Sequence, residues 1–156
     1  MPLPITSDAF GNGQAIARKY TGDGEDISPP MHWSGVPEAA RSVSLIVDDT
    51  DAPHGRFVHW LIYNIPAEIS DLPEGVSSKA SQFAAAAMEG QNSFETIGYR
   101  GPAPPRGHGR HHYHFHLYAP DQPLQVKPGL DKQALLAAMA GHILDEGEIV
   151  ATYERP

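Results

Sequence analysis

Two short stretches of this sequence carry residues suited to binding a small charged molecule. In the first, Asp49 and Asp51 precede Pro53, and His59 lies inside the apolar run that follows. A carboxylate beside an imidazole can orient the ring and stabilise its protonated form. Aspartates before Ala-Pro are also typical of a turn in which the carboxylate bonds its own backbone. The functional interpretation predicts a polar pocket at the edge of an apolar core.

The second stretch is a proline-rich loop that leads into a histidine-rich segment. Gly101 and Ala103 lie among three prolines, and His111 and Tyr113 follow shortly afterwards. Proline fixes φ, so the loop should be rigid, with the amides near Gly101 and Ala103 held ready for an anion. A pocket needs groups from distant parts of the chain, and this stretch supplies the second wall.

Strands must position both stretches. Residues 57–63 are apolar at both alternate positions, which indicates a strand buried on both faces. Residues 111–118 alternate with period two, so their side chains divide between two faces. One face, which we expect to be the core side, carries His111, Tyr113, Phe115 and Leu117, and the other carries His112, His114, His116 and Tyr118.

The outward row of histidines offers an alternative chemistry. Alternate side chains of a strand lie roughly 6.5 to 7 Å apart on one face, so His112, His114 and His116 could converge on a metal ion. The competing interpretation is a solvated or subunit-facing strand surface. A metalloprotein or metalloenzyme that uses this row is therefore the alternative function.

The remaining elements are predicted more coarsely. Residues 31–33 are expected to form a short strand, residues 66–76 a loop, and the alanine-rich residues 80–88 either a helix or irregular structure. Asp131 is a good N-cap for a helix from Lys132 to about Leu144, with Leu135, Met139 and Ile143 on one apolar stripe. A last strand is predicted over residues 148–153.

Composition excludes several classes of protein. The 156 residues suit one domain, 1–156, and 15 glycines with 15 prolines favour short strands and loops over a helical bundle. A net charge of −8 argues against nucleic-acid binding, and no apolar stretch reaches the length of a membrane span or signal peptide. We therefore expect a cytoplasmic protein that binds neither nucleic acid nor a membrane interior.

Enzymatic chemistry has no clear candidate. The sequence contains no cysteine, no Gly-x-Ser-x-Gly elbow, no phosphate-binding Gly-Lys-Ser/Thr loop and no His-Glu-x-x-His. We therefore predict a non-enzymatic protein with no catalytic residues, no cofactor and no dedicated metal site.

Several segments together resemble the phosphatidylethanolamine-binding protein family, also called the Raf kinase inhibitor protein family, in its short bacterial branch. They are Ser28-Pro29-Pro30 with Trp33, Asp49-Thr50-Asp51-Ala52-Pro53 with His59-Trp60, Gly101-Pro102-Ala103-Pro104-Pro105, and His111-His112-Tyr113. The resemblance implies a mostly β fold, in which a large antiparallel sheet packs on a smaller one, with one or two helices near the C-terminus. Ala103 stands where bacterial relatives often carry cysteine, and His112 replaces a usual arginine.

The resemblance also implies a small anion pocket. Its residues would be Asp49, Asp51, Pro53, His59, Gly101, Ala103, His111 and Tyr113. We expect phosphate, phosphoethanolamine or a phosphorylated side chain as ligand, held by an imidazolium of His59 or His111. A kinase or protease as protein partner, and a homodimer, are expected from the resemblance alone. A third interpretation treats the domain as an interaction module whose pocket no longer binds a ligand.

Overall fold

The computed structural model describes residues 2–53 and 55–156. Within these residues the chain forms nine strands, two α-helices and a 3-10 turn at Arg18–Tyr20. The strands are β1 (Ile5–Thr6), β2 (Gln14–Ala15), β3 (Met31–Trp33), β4 (Ser42–Asp49), β5 (Phe57–Pro66), β6 (Asp71–Leu72), β7 (Met88–Glu89), β8 (His111–Pro120) and β9 (Ile143–Tyr153). The helices are α1 (Ala80–Phe83) and α2 (Lys132–Met139).

The strands form two sheets of different size. The larger has six strands in the order β2-β9-β8-β4-β5-β7, and the smaller has three in the order β1-β3-β6. The long strands pair antiparallel, whereas the two-residue β2 pairs parallel with β9 at the sheet edge. The predicted fold class, a large antiparallel sheet packed on a smaller one, is confirmed.

The central strands β4 and β5 are buried on both faces, as the apolar run predicted. On one face Leu45 and Trp60 belong to the main core, which includes residues of the small sheet. On the other face Ile46 and Leu61 pack in a second cluster with Leu135 of α2. The two layers remove both faces of these strands from water, which explains why neither alternate set is polar.

The alternation predicted for β8 is also confirmed. His111, Tyr113, Phe115 and Leu117 are each at most 1% exposed, whereas the intervening side chains are exposed or half-buried. β8 pairs antiparallel with β4, and Asp49 lies opposite Tyr113 in this register. β4 ends at Asp49 and β8 begins at His111, so the antiparallel pairing places the Asp49 carboxylate next to the His111 side chain.

Several predicted boundaries were wrong. The Asp131 side chain caps α2 as expected, accepting a hydrogen bond from the Ala134 amide at 2.8 Å, but the helix ends at Met139. Gly141 has φ of 80°, which reverses the chain, so Ile143 and the next residues lengthen β9 instead of α2. The predicted loop at 66–76 contains the short β6, and the alanine-rich segment forms only the four-residue α1 before β7.

The long segment after β7 is ordered by buried polar groups. Glu89 accepts hydrogen bonds from Trp60 Nε1 at 2.8 Å, Ser77 Oγ at 2.6 Å and the Ser78 amide at 2.7 Å. Asn92 Oδ1 accepts from the amide of Phe94 at 3.0 Å, which closes a local turn. The backbone amides of Gly90, Ser93 and Arg100 donate to the carbonyls of Leu61, Val58 and His59, and these bonds hold residues 90–100 against β5.

Candidate functional site

A small cavity of about 140 Å³ opens at the edge where β4 ends and β5 and β8 begin. Six of the eight predicted site residues line it, and Asp51 and Gly101 do not. The described lining consists of Asp49, Ala52, Pro53, Phe57, His59, Phe94, Ala103, Pro104, Pro105, His111 and Tyr113. The two stretches singled out in the sequence therefore converge on one cavity.

Asp49 and His111 form the buried polar centre of this cavity. Oδ2 of Asp49 lies 2.6 Å from Nδ1 of His111, and both residues are at most 4% exposed. Nε2 of His111 lies 2.6 Å from Nδ1 of the exposed His108, on the loop that precedes β8. The carboxylate fixes the orientation of the His111 ring, and His108 covers the nitrogen that points away from Asp49.

Of the two histidines predicted as the possible imidazolium, His59 lies in an environment that disfavours a positive charge. Its Nδ1 lies 2.6 Å from the carbonyl oxygen of Arg100, a geometry that assigns the Nδ1 proton to this bond. Burial lowers the pKa of His59 and outweighs the opposing effects of that hydrogen bond and the charge of Asp49. His59 is therefore neutral near pH 7, and its Nε2 is a hydrogen-bond acceptor.

Tyr113 completes the polar lining. It is 1% exposed and lies against both imidazoles, with ring centroids 5.3 Å from His59 and 6.4 Å from His111. Burial, together with the nearby charge of Asp49, raises the pKa of Tyr113, so the phenol keeps its proton. Among the described residues its hydroxyl has no hydrogen-bond partner.

Asp51 lies outside the cavity, contrary to the prediction. The chain leaves the extended conformation after Asp49, whose Oδ1 accepts a hydrogen bond from the Asp51 amide at 2.7 Å. This bond is the turn that the alternative interpretation of the aspartates predicted, so Asp49 both shapes the turn and binds His111. The Asp51 carboxylate faces the exposed His112, accepting from its amide and pairing with its Nδ1, each at 2.8 Å.

Gly101 also has a structural role instead of the predicted one. Its amide donates to Oδ1 of Asp26 at 2.6 Å and is therefore not available to an anion. A Cβ at this position would collide with the backbone oxygen of Tyr20 and lie 2.9 Å from Cα of Thr21, so only glycine fits. Gly101 anchors the proline-rich loop, and Ala103 is the member of the pair that reaches the cavity wall.

The proline-rich loop is held from behind by the C-terminal residues. Arg155 Nε donates to the Asp23 carboxylate at 3.0 and 2.9 Å, and its Nη1 donates to the Pro104 carbonyl at 3.4 Å. Tyr153 Oη donates to the same carboxylate at 2.7 Å, and the Gly22 amide donates to the Pro102 carbonyl at 2.8 Å. These bonds fix the wall that Ala103, Pro104 and Pro105 provide.

The predicted site residues did not include five that line the cavity, Ala52, Phe57, Phe94, Pro104 and Pro105, nor His108, which contacts His111. Phe57 and Phe94 pack edge to face, with ring centroids 4.8 Å apart, and form an apolar wall beside His59. Phe57, two positions before His59, had a local signal because alternate strand residues share a face. Phe94 and His108 come from loops whose path the sequence pattern does not predict.

The histidine row does not form the cluster that the sequence suggested. His112 turns to Asp51, whereas His114 and His116 face Glu148 on the neighbouring strand β9. Their potential ligand atoms, with that of Glu148, all lie within 4.8 Å of one another. The outward face of β8 therefore carries a two-histidine, one-glutamate group in place of three histidines.

Comparison with known proteins agrees with this architecture. The family model for phosphatidylethanolamine-binding protein matches residues 6–154. A UPF0098 protein of Pyrococcus abyssi is 47% identical over 150 residues, which cover 96% of this chain and 84% of the Pyrococcus protein.

No helix in the described parts of the chain is long and apolar enough to span a membrane.

Solved structures give the same result. The phosphatidylethanolamine-binding protein homologue of Chlamydia trachomatis is 39% identical with a TM-score of 0.89, over 99% of both chains. YbcL of E. coli, described as a new member of the mammalian family, is 27% identical with a TM-score of 0.92 over the whole of both chains. The resemblance noted in the sequence is thereby confirmed, and the chain belongs to the phosphatidylethanolamine-binding protein family.

Proposed function

We propose that this protein binds a small phosphate-type anion in the cavity between Asp49 and Tyr113 and does not transform it. The observation that carries the proposal is the Tyr113 hydroxyl, which is buried at the cavity with no partner in the described part of the chain. A buried hydroxyl without a hydrogen bond costs roughly 1 to 3 kcal/mol. A ligand oxygen in the cavity would accept that hydrogen bond.

His111 supplies the positive charge. With Asp49 behind it at 2.6 Å, the ring can carry two protons, one directed at the carboxylate and one directed at an anion. His108 Nδ1 now occupies the second direction at 2.6 Å, and its exposed side chain can move aside when a ligand enters. Because the chain has a net charge of −8, an anion would be held by this one positive group and not by the charge of the protein as a whole.

His59 sets the protonation state of the ligand. Because its Nδ1 proton is committed to the Arg100 carbonyl, Nε2 can only accept a hydrogen bond. A ligand that fits must offer at least one donor beside its negative oxygens. Monoprotonated phosphate or a protonated phosphomonoester meets this requirement, whereas sulfate at neutral pH does not.

The size of the cavity limits the ligand to a head group. Drug-sized molecules occupy pockets of roughly 300 to 1,000 Å³, whereas this cavity measures about 140 Å³. Its apolar walls, from Phe57 and Phe94 on one side and the prolines on the other, exclude water and strengthen each polar contact. Phosphate, phosphoethanolamine or a phosphorylated side chain has the appropriate size.

Binding is favoured over catalysis by the residues present. The described lining contains no serine, threonine or lysine, and its carboxylate is already bonded on both oxygens, to His111 and to the Asp51 amide. A nucleophile paired with a free base is therefore lacking among these residues. A kinase or protease partner and a homodimer stay predictions of the family resemblance, and a cytoplasmic location stays a prediction from the sequence.

Calorimetric titration of phosphate and phosphoethanolamine tests the proposal. Tyr113→Phe removes one hydroxyl and should weaken phosphate binding roughly 10- to 100-fold, the value of a hydrogen bond to a charged group. Tyr118→Phe, on the opposite face of the same strand, is the matched control and should leave affinity unchanged. Equal affinity in wild type and Tyr113→Phe, or no binding by wild type at millimolar ligand, would refute the anion site.

A further inference from the structure

We propose that His114, His116 and Glu148 bind one divalent transition-metal ion, with Zn²⁺ as the representative. This site lies on the opposite face of β8 from the anion cavity and is independent of the function proposed above. Two of its residues lie on β8 and the third on β9.

The geometry of the three side chains is convergent. In the β8–β9 register His116 lies opposite Glu148, and His114 is two residues away on the same face. Nδ1 of His114 lies 2.7 Å from Oε1 of Glu148, and Nδ1 of His116 lies 3.3 Å from Oε2. The imidazole rings are nearly parallel, at 10°, with centroids 5.7 Å apart. Both Nδ1 atoms thus face one carboxylate, and a small shift would place a cation between the three.

His116 gives the second, independent observation. Its Nε2 lies 3.4 Å from Oδ1 of Asp48, and both atoms are buried without a hydrogen-bond partner among the residues described. A neutral imidazole has one N–H and one lone pair. Either tautomer of His116 therefore directs a lone pair at a carboxylate, Glu148 in one case and Asp48 in the other.

A metal ion at Nδ1 removes this conflict. The lone pair of Nδ1 would then bind the cation that Glu148 also binds, and Nε2–H would donate to Asp48. A carboxylate behind a metal-bound histidine is a common outer-shell arrangement that fixes the tautomer and the ring orientation. Asp48 is suited to this role because its side chain is 0% exposed and is held by Lys132 Nζ at 2.5 Å and by Arg56 at 3.3 Å.

His114 has an equivalent outer-shell partner. Thr50 Oγ1 lies 3.2 Å from its Nε2. When Nδ1 of His114 binds metal, Nε2 carries the proton and the threonine hydroxyl can accept it. Both histidines therefore have an oxygen in place on the side away from Glu148.

The ligand set indicates the class of metal. Two imidazole nitrogens and one carboxylate suit Zn²⁺ and its neighbours, whereas Mg²⁺ and Ca²⁺ prefer oxygen alone. Three protein ligands leave a fourth position for water. The His114 and Glu148 side chains are 23% and 42% exposed, so an ion can enter from solvent.

One alternative makes the opposite prediction. A doubly protonated His116 would satisfy Asp48 and Glu148 together as a plain ion-pair network, with no metal. In that case the protein, stripped of metal by chelation and dialysis, would take up no stoichiometric Zn²⁺.

Calorimetric titration of Zn²⁺ into the full, metal-stripped chain at pH 7.5 decides between them. We expect one ion per chain, with affinity reduced more than about 100-fold in His114→Gln and Glu148→Gln, beyond the range of outer-shell changes. Thr50→Val, which removes only the outer-shell oxygen, should weaken binding about 10-fold. His112→Gln on the same strand and His108→Gln at the anion cavity should keep wild-type affinity, and the folding of each variant is checked by its thermal unfolding without metal.

Three results would overturn the proposal. They are the absence of stoichiometric Zn²⁺ in wild type, undiminished binding in Glu148→Gln, and a loss in His112→Gln or His108→Gln as large as that in His114→Gln. The last would identify adventitious chelation by the exposed histidines or by the anion cavity.

Discussion

Nδ1 of His111 lies 2.6 Å from Oδ2 of Asp49, and their side chains are 1% and 5% exposed. Two residues 62 positions apart in sequence are thus joined by a buried, charge-assisted hydrogen bond. The bond lies at the end of the sheet where the antiparallel pairing of β4 with β8 stops. The same contact stabilises the sheet edge and orients the imidazole that we assign to the anion. Stability and ligand binding should therefore change together when it is broken.

Asp49→Asn tests this coupling. The substitution keeps the volume but removes the charge, so the buried His111 loses its charged partner. We expect the free energy of unfolding to fall by about 1 to 3 kcal/mol and phosphate affinity to fall by about 10-fold or more. Urea denaturation and phosphate titration measure the two effects.

Asp51→Asn is the matched control for this change. Asp51 belongs to the same turn, but its partner His112 is exposed, and exposed pairs contribute roughly 0 to 1 kcal/mol. Its substitution should leave phosphate affinity unaltered. If the two variants behaved alike, the distinction between the buried and the exposed aspartate would be wrong.

His59 should contribute to loss of stability in mild acid. Burial lowers its pKa in the folded protein, so below the unfolded-state value of 6.5 the unfolded chain binds a proton that the folded chain does not. Stability from this group is therefore complete above pH 6.5 and decreases as pH falls below it, by at most about 1.4 kcal/mol per pH unit.

His59→Asn removes this titration and retains an N–H for the Arg100 carbonyl. The difference in unfolding free energy between wild type and variant should be larger at pH 7.5 than at pH 5. In the folded wild type, the His59 ring carbon signals should keep the neutral form at pH 6. A His59 signal that titrates near 6.5, or a difference that grows in acid, would contradict the assignment.

The hydrogen bonds from Arg155 and Tyr153 to Asp23, which support the proline-rich loop, give a prediction at lower pH. Hydrogen bonds from Arg155 and then Tyr153 lower the pKa of Asp23 to about 2, from 3.8. For a carboxylate with a depressed pKa the stabilisation is fully present above the unfolded pKa and is lost as pH falls through the folded one. Asp23→Asn should therefore destabilise the protein at pH 5 and have little effect near pH 2.

Urea unfolding at the two pH values measures this difference. Asp121→Asn, at an exposed pair with His142, serves as control and should change stability little at either pH. Since Arg155 also contacts the Pro104 carbonyl, Asp23→Asn should loosen the cavity wall and weaken phosphate binding. Unchanged phosphate binding by Asp23→Asn at pH 6 would show that the proline-rich wall of the cavity does not depend on the Arg155–Asp23 contact.

Local pattern was sufficient for the strands that carry the site. The apolar run of β5 and the alternation of β8 predicted which side chains are buried, because burial of both faces or of one face leaves a direct signal. Contacts that depend on the paths of loops could not be predicted from local pattern. Gly101 pairs with Asp26 and His111 with His108, and these contacts depend on loop paths that have no periodic signal.

Other errors came from competing local signals. Asp51 was predicted to share the pocket with Asp49, but the Asp49 carboxylate bends the chain by accepting a hydrogen bond from the Asp51 amide. The predicted α2 was too long because Ile143 continues the apolar stripe of the helix in sequence. In the structure the chain reverses at Gly141, before Ile143 is reached. The pairing of Asp48 with Lys132 could not be predicted from local pattern, since it joins residues 84 positions apart.

The central claim is that an anion binds between His111, Tyr113 and His59. The most direct measurement is an NMR titration of inorganic phosphate at pH 6 that follows the ring signals of all assigned histidines in wild type and Tyr113→Phe. We predict saturable shifts of the His59 and His111 rings, no shift of the exposed His142, and a markedly weaker response in Tyr113→Phe. Unchanged His59 and His111 signals at about 10 mM phosphate, a concentration that would detect a dissociation constant in the millimolar range, would contradict the anion pocket.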